Sequence, residues 1–328
     1  MPSLVPLLVL PHLEDDLARV EAAMLLTVRT GDPFLTEVAS HLITAGGKRL
    51  RPALAVAVGE LGGGPASDDV VMGAVAVELV HLGSLYHDDV MDEARTRRNV
   101  ESVNARWGNL VAILAGDFLL ARASEIAASL GTEVAGLLAT TIGRLCEGQV
   151  RELAQTFDVG RSEESYLTSI AGKTAALMST ACRIGGLTAG LSRAGVEAFT
   201  IYGERVGMVF QIVDDILDVV ATDEQLGKPA GNDLVEGVYT LPVIRALASE
   251  QSSEELRALL GGPLDRAGVD EARRIIRSNG AVSAALIVAR SYADDAGVAL
   301  DGLGGDEGDP VIAALQALGG HLIDTAAV

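Results

Sequence analysis

Two aspartate clusters of identical spacing lie inside apolar segments of the chain, at residues 88–92 (DDVMD) and 214–218 (DDILD). On an α-helix, Asp88 and Asp92 would be separated by about 6 Å of rise and would lie within roughly 40° of the same face. The second cluster repeats this arrangement. Because such carboxylates repel one another and lose hydration on burial, each cluster needs cations to neutralise it.

A solvated acidic helix face is the simpler alternative, since a chain with 45 Asp and Glu residues makes some DDxxD matches by chance. Both clusters, however, follow strongly apolar stretches at residues 75–80 and 206–210, where a solvated face is not expected. Carboxylate oxygens without nitrogen or sulfur ligands are typical of magnesium or manganese sites. We therefore interpret the clusters as two parts of a metal site.

Two further polar residues share the faces of the clusters. His81 stands seven positions before Asp88, which is close to two helical turns, and Gln211 stands three positions before Asp214. A lone histidine on an apolar helix is more often a satisfied core residue. Its register with the aspartates is what indicates a functional role.

Glycines and cations near the clusters predict an anion site. Residues 46–52 (GGKRLRP) place two glycines before basic residues at a predicted helix start, where exposed N–H groups and the helix dipole favour phosphate. The chain has a net charge of −20, so several cations close to the carboxylates are unexpected. They suggest a site for a polyanion that binds to the carboxylates through metal ions. Each of these cations taken alone could instead be solvated. These further cations are Arg95, Arg97, Arg98, Lys173 and Lys228.

In their order, these motifs resemble those of the trans-type (head-to-tail) polyprenyl diphosphate synthases, of the long-chain type. The matching segments span roughly residues 40–245, and the C-terminal remainder resembles the family only in being helical and apolar. The segments are residues 46–52, the first cluster with Arg97, Arg98 and Ser102-Val103-Asn104 behind it, residues 115–119 (AGDFL), residues 172–174 (GKT) and residues 210–218.

The resemblance implies an all-α fold of the isoprenoid synthase type: one large helical bundle around a central substrate cavity, with residues 1–328 as a single domain. The implied reaction condenses isopentenyl diphosphate with an allylic diphosphate primer through a carbocation, so no protein nucleophile is required. The family also implies Mg²⁺, about three ions per active site with Mn²⁺ as a substitute, and a homodimer.

Site residues follow from motif position. Asp88, Asp92 and Asp214 would ligate magnesium, and Asp89, Asp215, Asp218 and Lys173 would be further catalytic groups. Isopentenyl diphosphate would contact Lys48, Arg51, His81 and Arg98, and the allylic diphosphate would contact Arg97, Lys173, Thr174, Gln211 and Lys228. The resemblance leaves the roles of Arg49 and Arg95 open.

Three positions depart from the family pattern. Asn99 and Glu101 stand where Gly and Pro are frequent, which concerns the shape of a loop. Val238 stands where many members carry Lys, which removes one cation expected near the allylic diphosphate.

Composition and periodicity agree with a helical enzyme. Apolar residues three and four apart predict helices over about 12–29, 67–92, 109–156, 164–219 and 281–299, with Ser67 and Ser162 as N-caps, and no alternation indicates strands. The acidic balance argues against nucleic acid, and the apolar run at residues 4–10 is too short for a membrane span. The product can still be delivered to a membrane. Two cysteines, interpreted as small core residues, favour a cytoplasmic location.

The helix leading into the first cluster predicts a long product. Short-chain members resemble one another in carrying a bulky aromatic four or five residues before the first aspartate, where this chain has Gly83 and Ser84. With Val77 about 16 Å below Asp88 and Val80 between, the route would be open to about six to ten isoprene units, seven to nine being favoured. Alternatively, Gly83 and Ser84 only allow close helix packing, and the product is a geranylgeranyl chain.

Two other functions stay open. A terpene cyclase would be expected to carry an Asn/Ser/Glu metal motif in place of the second cluster and to lack residues 46–52. A non-catalytic partner subunit would be expected to have lost motif aspartates. The sequence disfavours both.

Overall fold

The computed structural model describes residues 8–61, 63–226, 229–250, 252–303 and 309–326. In these ranges the chain is mostly helical, which confirms the all-α prediction. The helices are α1 (Leu13–Thr27), α2 (Pro33–Thr44), α3 (Leu50–Gly59), α4 (Asp68–Met91), α5 (Val103–Trp107), α6 (Asn109–Ser129), α7 (Thr132–Leu153), α8 (Glu163–Ile170), α9 (Ala176–Thr188), α10 (Arg193–Val220), α11 (Asp223–Leu226), α12 (Asn232–Glu236), α13 (Leu241–Leu247), α14 (Ser253–Leu259), α15 (Arg266–Ser278), α16 (Ala281–Ala299) and α17 (Pro310–Asp324).

A short hairpin interrupts the helices after the first aspartate cluster. Strands β1 (Thr96–Arg97) and β2 (Val100–Glu101) pair antiparallel, so the expectation of no strands was wrong here. Two-residue strands are too short for an alternation to be visible in sequence. Arg98 and Asn99 form the turn with φ of 54° and 63°, the pattern of a type I′ turn. Asn tolerates this left-handed conformation, so Asn99 can form the turn although Gly is frequent at this position in the family.

Helices α4 and α10 carry the clusters, and α9 packs against both. Ser67 directly precedes α4, and its side chain accepts a hydrogen bond from Val70 N. Ser162 precedes α8 and accepts one from Ser165 N, so both predicted N-caps are confirmed. By length and hydropathy α4 could span a membrane, but 72% of its most apolar window is buried within the protein. A helix that is apolar on most sides is expected at the centre of a bundle.

Two hydrophobic clusters form the core. The larger joins residues of the first ten helices to α13, α16 and α17. The smaller is centred on α13, α14 and α15 and includes single residues of α10, α12 and α16. Cys182 belongs to the larger core, whereas Cys146 is exposed, which corrects its interpretation as a core residue. The single-domain assignment stays a prediction.

Candidate active site

The first aspartate cluster ends α4. Asp88 and Asp92 lie one turn apart, and the backbone N–H of Asp92 donates to Asp88 O at 2.8 Å. Asp89 is fully buried on another side, where its Oδ1 accepts from Arg97 Nε at 2.7 Å. Burial raises the pKa of Asp88 to about 6 against the charge of Lys173, and Asp92 raises it further. Burial therefore disfavours the charged form of Asp88, and a cation bound beside it would offset this effect.

In the second cluster, two of the three aspartates hold other parts of the protein. Asp215 is buried, and its Oδ1 accepts from Gln211 Nε2 at 2.7 Å while its Oδ2 accepts from Tyr166 Oη at 2.6 Å. Burial raises the pKa of Asp215 to about 7 in spite of both hydrogen bonds. Asp218 Oδ2 accepts from the backbone N–H of Asp233 at 3.2 Å, which fixes the loop after α10. Asp214 is half-buried, and its carboxylate accepts no hydrogen bond from the described residues.

Lys173 lies near the first cluster and pairs with Glu152 of α7. Its Nζ donates to Glu152 Oε1 at 2.6 Å. Burial lowers the pKa of Lys173, but the charges of Glu152, Asp88 and Asp92 outweigh burial, so the net pKa is raised and the side chain stays cationic. Glu152 was missed by the sequence analysis because its contact with Lys173 exists only in the folded chain.

The backbone around Lys173 forms a π-helical turn, Ala171–Ala175, between α8 and α9, where the sequence predicted an ordinary helix. Helix α7 approaches this turn closely: a Cβ on Gly148 would lie 2.5 Å from Lys173 N. Thr174 Oγ1 donates to Gln211 Oε1 at 2.7 Å, which links the turn to α10. Single π-helical turns within α-helices are frequent at functional sites.

A cavity of about 290 Å³ begins at Asp88 and Lys173 and continues into apolar surroundings. Ser84, His87 and Met91 line one side, and residues of α7 line the other. Its lining, in which Asp88 and Lys173 stand beside apolar side chains, suits a ligand with a charged head and an apolar tail.

The structure gives the four predicted chain-length residues different surroundings. Ser84 lines the cavity, whereas Val77 and Val80 are buried in the core. Gly83 faces α6, where an added Cβ would lie 3.0 Å from Gly116 O, so its predicted place along the route is wrong. The reason is helical rotation: the residue four before Asp88 lies about 40° from it, and the residue five before lies about 140° away.

The cations predicted to hold isopentenyl diphosphate gather around α3 and α4. Lys48 Nζ lies 5.7 Å from the ring centroid of Phe210, which brings residues 46–52 close to α10. Arg98 Nη1 donates to Leu42 O at 2.9 Å and also to Gly46 O. A Cβ on Gly47 would lie 2.7 Å from the Arg98 guanidinium carbon, so a side chain there would displace the guanidinium from its present position.

His81 and Arg51 complete this group. Burial, followed by the charges of Arg51 and Arg98, lowers the pKa of His81 well below its ordinary value, so its imidazole is neutral and keeps one N–H donor. Burial also lowers the pKa of Arg51, opposed by Glu78, and Arg51 Nε has no hydrogen-bond partner among the described residues. Both side chains therefore have donors suited to an anion.

Glu78 was missed by the sequence analysis and holds these arginines. It is buried on α4, accepts from Arg49 Nη1 at 2.8 Å and lies 3.9 Å from Arg98 Nη2. The remaining donors of Arg49 bind Glu21 and Ile43 O, so Arg49 has a structural role. A glutamate inside the apolar run 75–80 was the available signal.

The carboxylates fit a metal bound jointly with substrate. Within the described ranges, no group of three or more His, Cys, Asp or Glu residues could hold a metal ion on its own. Magnesium is usually bound through one or two carboxylates together with substrate phosphates, which is what the pair Asp88 and Asp92 offers. Lys228 lies outside the described residues, so its predicted contact is not placed.

Fold and site together define an all-α enzyme that binds diphosphate esters with apolar tails. The polyprenyl synthetase family profile matches residues 32–277, and the chain therefore belongs to that family and is a prenyltransferase. Enzymes of this family use divalent metal ions, and their substrates are allylic and isopentenyl diphosphates.

Three similar proteins are informative. The nonaprenyl diphosphate synthase of Mycobacterium tuberculosis is 43% identical over 85% of this chain and 84% of its own length. A polyprenyl synthase from Caulobacter crescentus, solved with calcium and isoprenyl diphosphate, is 35% identical with a TM-score of 0.89 and 97% coverage of both chains. A geranylgeranyl pyrophosphate synthase from Corynebacterium glutamicum, also solved with calcium and isoprenyl diphosphate, is 40% identical with a TM-score of 0.84 and 96% coverage of both chains.

Proposed function

We propose that the protein extends an allylic diphosphate with isopentenyl diphosphate to a long all-trans polyprenyl diphosphate, about C30 to C50 and centred on C35 to C45, as for a quinone side chain. The observation that carries this proposal is the cavity that begins at Asp88 and Lys173 and has Ser84 one turn below. The small serine leaves this side of the cavity open. The nonaprenyl relative supports the same product class.

The charged groups near Asp88 would bind the metal ions and the allylic diphosphate. When bound, Mg²⁺ would be held by Asp88, Asp92 and Asp214, with about three ions per site and Mn²⁺ as a substitute, and would neutralise the departing diphosphate. Lys173 and Arg97 add positive charge at the allylic end. Thr174 and Gln211 orient each other beside them.

The second substrate would be held farther along α4. Arg51 and Arg98 offer forked donors to the terminal diphosphate of isopentenyl diphosphate, with Lys48 as a point charge and neutral His81 as one further donor. This diphosphate does not leave during the reaction. Its role is to align the double bond with the allylic carbon while the apolar cavity excludes water from the cation.

An exposed apolar stripe on α6 supports the proposed homodimer. Leu110 and Leu114 are 79% and 67% exposed, and Ile113 on the same face is also exposed. Residues three and four apart form one helical face, which a second copy of the chain would cover. The cytoplasmic location remains a proposal drawn from the two free cysteines.

Incubation of the purified protein with isopentenyl diphosphate, several allylic primers and Mg²⁺, followed by mass analysis, tests the proposal. A linear diphosphate in the proposed range is expected. A product of four isoprene units with every primer would support the second candidate, a geranylgeranyl diphosphate synthase, which the Corynebacterium glutamicum relative favours. A cyclic hydrocarbon formed from the allylic substrate alone, or no turnover, would contradict both.

A further inference from the structure

A buried arginine lies behind the second aspartate cluster. Arg161 precedes α8 and is only 5% exposed. Its Nη1 donates to Tyr239 O at 3.1 Å, while Nε and Nη2 have no hydrogen-bond partner among the described residues. Burial lowers the pKa of this guanidinium, and the charge of Glu152 opposes the shift. Burying a cation with two unsatisfied donors costs free energy, so its position requires an explanation.

Arg161 lies over an aromatic ring that in turn reaches the cluster. Its guanidinium carbon is 5.5 Å from the centroid of the Tyr166 ring, within the range of a cation–π contact. Tyr166 is itself buried, and its hydroxyl donates to Asp215 Oδ2. Asp215 directly follows Asp214 on α10 and also binds Gln211.

We propose that Arg161 and Tyr166 are a positioning pair for the second aspartate cluster. Arg161 fixes the plane of the tyrosine ring, and the ring holds Asp215 through its hydroxyl. Consecutive side chains on a helix point about 100° apart, so holding Asp215 fixes the rotation of this turn of α10 and thereby the direction in which Asp214 points. The proposal rests on the metal role proposed above for Asp214.

The hydrogen bonds connect the pair to one end of the active site only. Asp215 links Tyr166 to Gln211, and Gln211 links onward to Thr174 beside Lys173. These contacts lie at the end of the site proposed for the allylic diphosphate. The arginines around Glu78 lie at the end proposed for isopentenyl diphosphate. Loss of the pair should therefore affect metal and allylic diphosphate but not isopentenyl diphosphate.

Tyr166→Phe tests the proposal, because it keeps the ring beneath Arg161 and removes only the hydroxyl. Tyr202→Phe is a matched control: Tyr202 is also fully buried and lies on α10, and its hydroxyl donates to Leu315 O at 2.7 Å. Calorimetry would measure the Mg²⁺ concentration at which inorganic diphosphate binds half-maximally. Steady-state kinetics would give KM for each substrate.

Removing a direct partner of a metal ligand usually weakens metal binding by about 10- to 100-fold, and Tyr166 acts one residue further out, through Asp215. We therefore expect Tyr166→Phe to raise the half-saturating Mg²⁺ concentration by about 10-fold. KM for the allylic substrate should rise, and KM for isopentenyl diphosphate should stay within about twofold of the wild-type value. Tyr202→Phe should change only thermal stability. Equal Mg²⁺ dependence in the two variants would overturn the proposal.

Arg161→Met provides an independent variant. It should weaken Mg²⁺ and diphosphate binding in the wild-type background but add nothing to Tyr166→Phe, because Arg161 acts through the ring. An equal effect in both backgrounds would mean that the arginine charge acts directly, and the pair would be wrong. If the wild-type protein did not bind Mg²⁺ with diphosphate, the proposed function itself would fail, which is distinguishable from a failure confined to the variants.

Discussion

Ser84 is the residue at which a substitution is expected to change product length most directly. It lines the cavity one helical turn, about 6 Å, below Asp88. Ser84→Phe adds a side-chain volume of roughly 100 Å³ to close-packed surroundings, which is about a third of the cavity volume of about 290 Å³. A growing tail would meet the ring after the first condensations. We expect products of about three or four isoprene units, because the ring lies only one turn beyond the carboxylates.

Gly83→Phe is the matched control, because the sequence had placed Gly83 along the route together with Ser84. An added Cβ there would already lie 3.0 Å from Gly116 O and 3.2 Å from Leu120 Cγ. Overpacking of this kind costs about 1 to 3 kcal/mol or more, so the variant should unfold at lower denaturant concentration. It should not block the cavity as Ser84→Phe does.

The assay is mass analysis of products with each primer, beside the rate of the first condensation and a denaturant unfolding curve. Ser84→Phe should keep the first condensation and shorten the product. An unchanged product length in Ser84→Phe would refute the argument, as would a shortened product in a fully stable Gly83→Phe.

Three further predictions concern the charged groups. Chelation of divalent metal should abolish turnover, and Asp214→Ala should lower kcat by orders of magnitude without loss of helical circular dichroism; near-normal turnover at saturating Mg²⁺ would contradict the two-cluster site. Arg51→Ala should mainly raise KM for isopentenyl diphosphate, measured by steady-state kinetics, because that diphosphate does not leave; a fall in kcat alone would contradict this. Glu78→Gln should destabilise the fold by about 3 kcal/mol in denaturant unfolding, because it leaves buried Arg49 without its carboxylate partner; an unchanged midpoint would show that Glu21 is sufficient.

The sequence predicted what depends on local spacing. The register of Asp88 with Asp92 and the N-caps at Ser67 and Ser162 follow from helical periodicity, and the helix spans follow from the same pattern. Two predicted stretches proved to be broken: 109–156 at Gly131, which has a φ of 115°, and 164–219 between α9 and α10, where Gly190 has a φ of 72°.

What the sequence could not predict depends on contacts between distant segments. Glu152 and Tyr166 reach Lys173 and Asp215 only after α7, α8 and α10 pack together. A charge in an apolar run marks Glu78 as unusual, but its arginine partners lie 29 and 20 positions away. The misplacement of Gly83 had another cause, because its rotation relative to Asp88 could have been calculated from the sequence.

The π-helical turn has a consequence for how this chain can vary. A turn of this kind contains one residue more than the α-helical turn it replaces. Deleting one residue from Ala171–Ala175 would give a regular helix in which α8 and α9 keep their relative rotation, but it would move Lys173, which lies within the turn. Tyr166 would still face Asp215, whereas the positive charge beside Asp88 and Asp92 would be displaced. The fold should therefore tolerate the loss of one residue from this segment better than the site does.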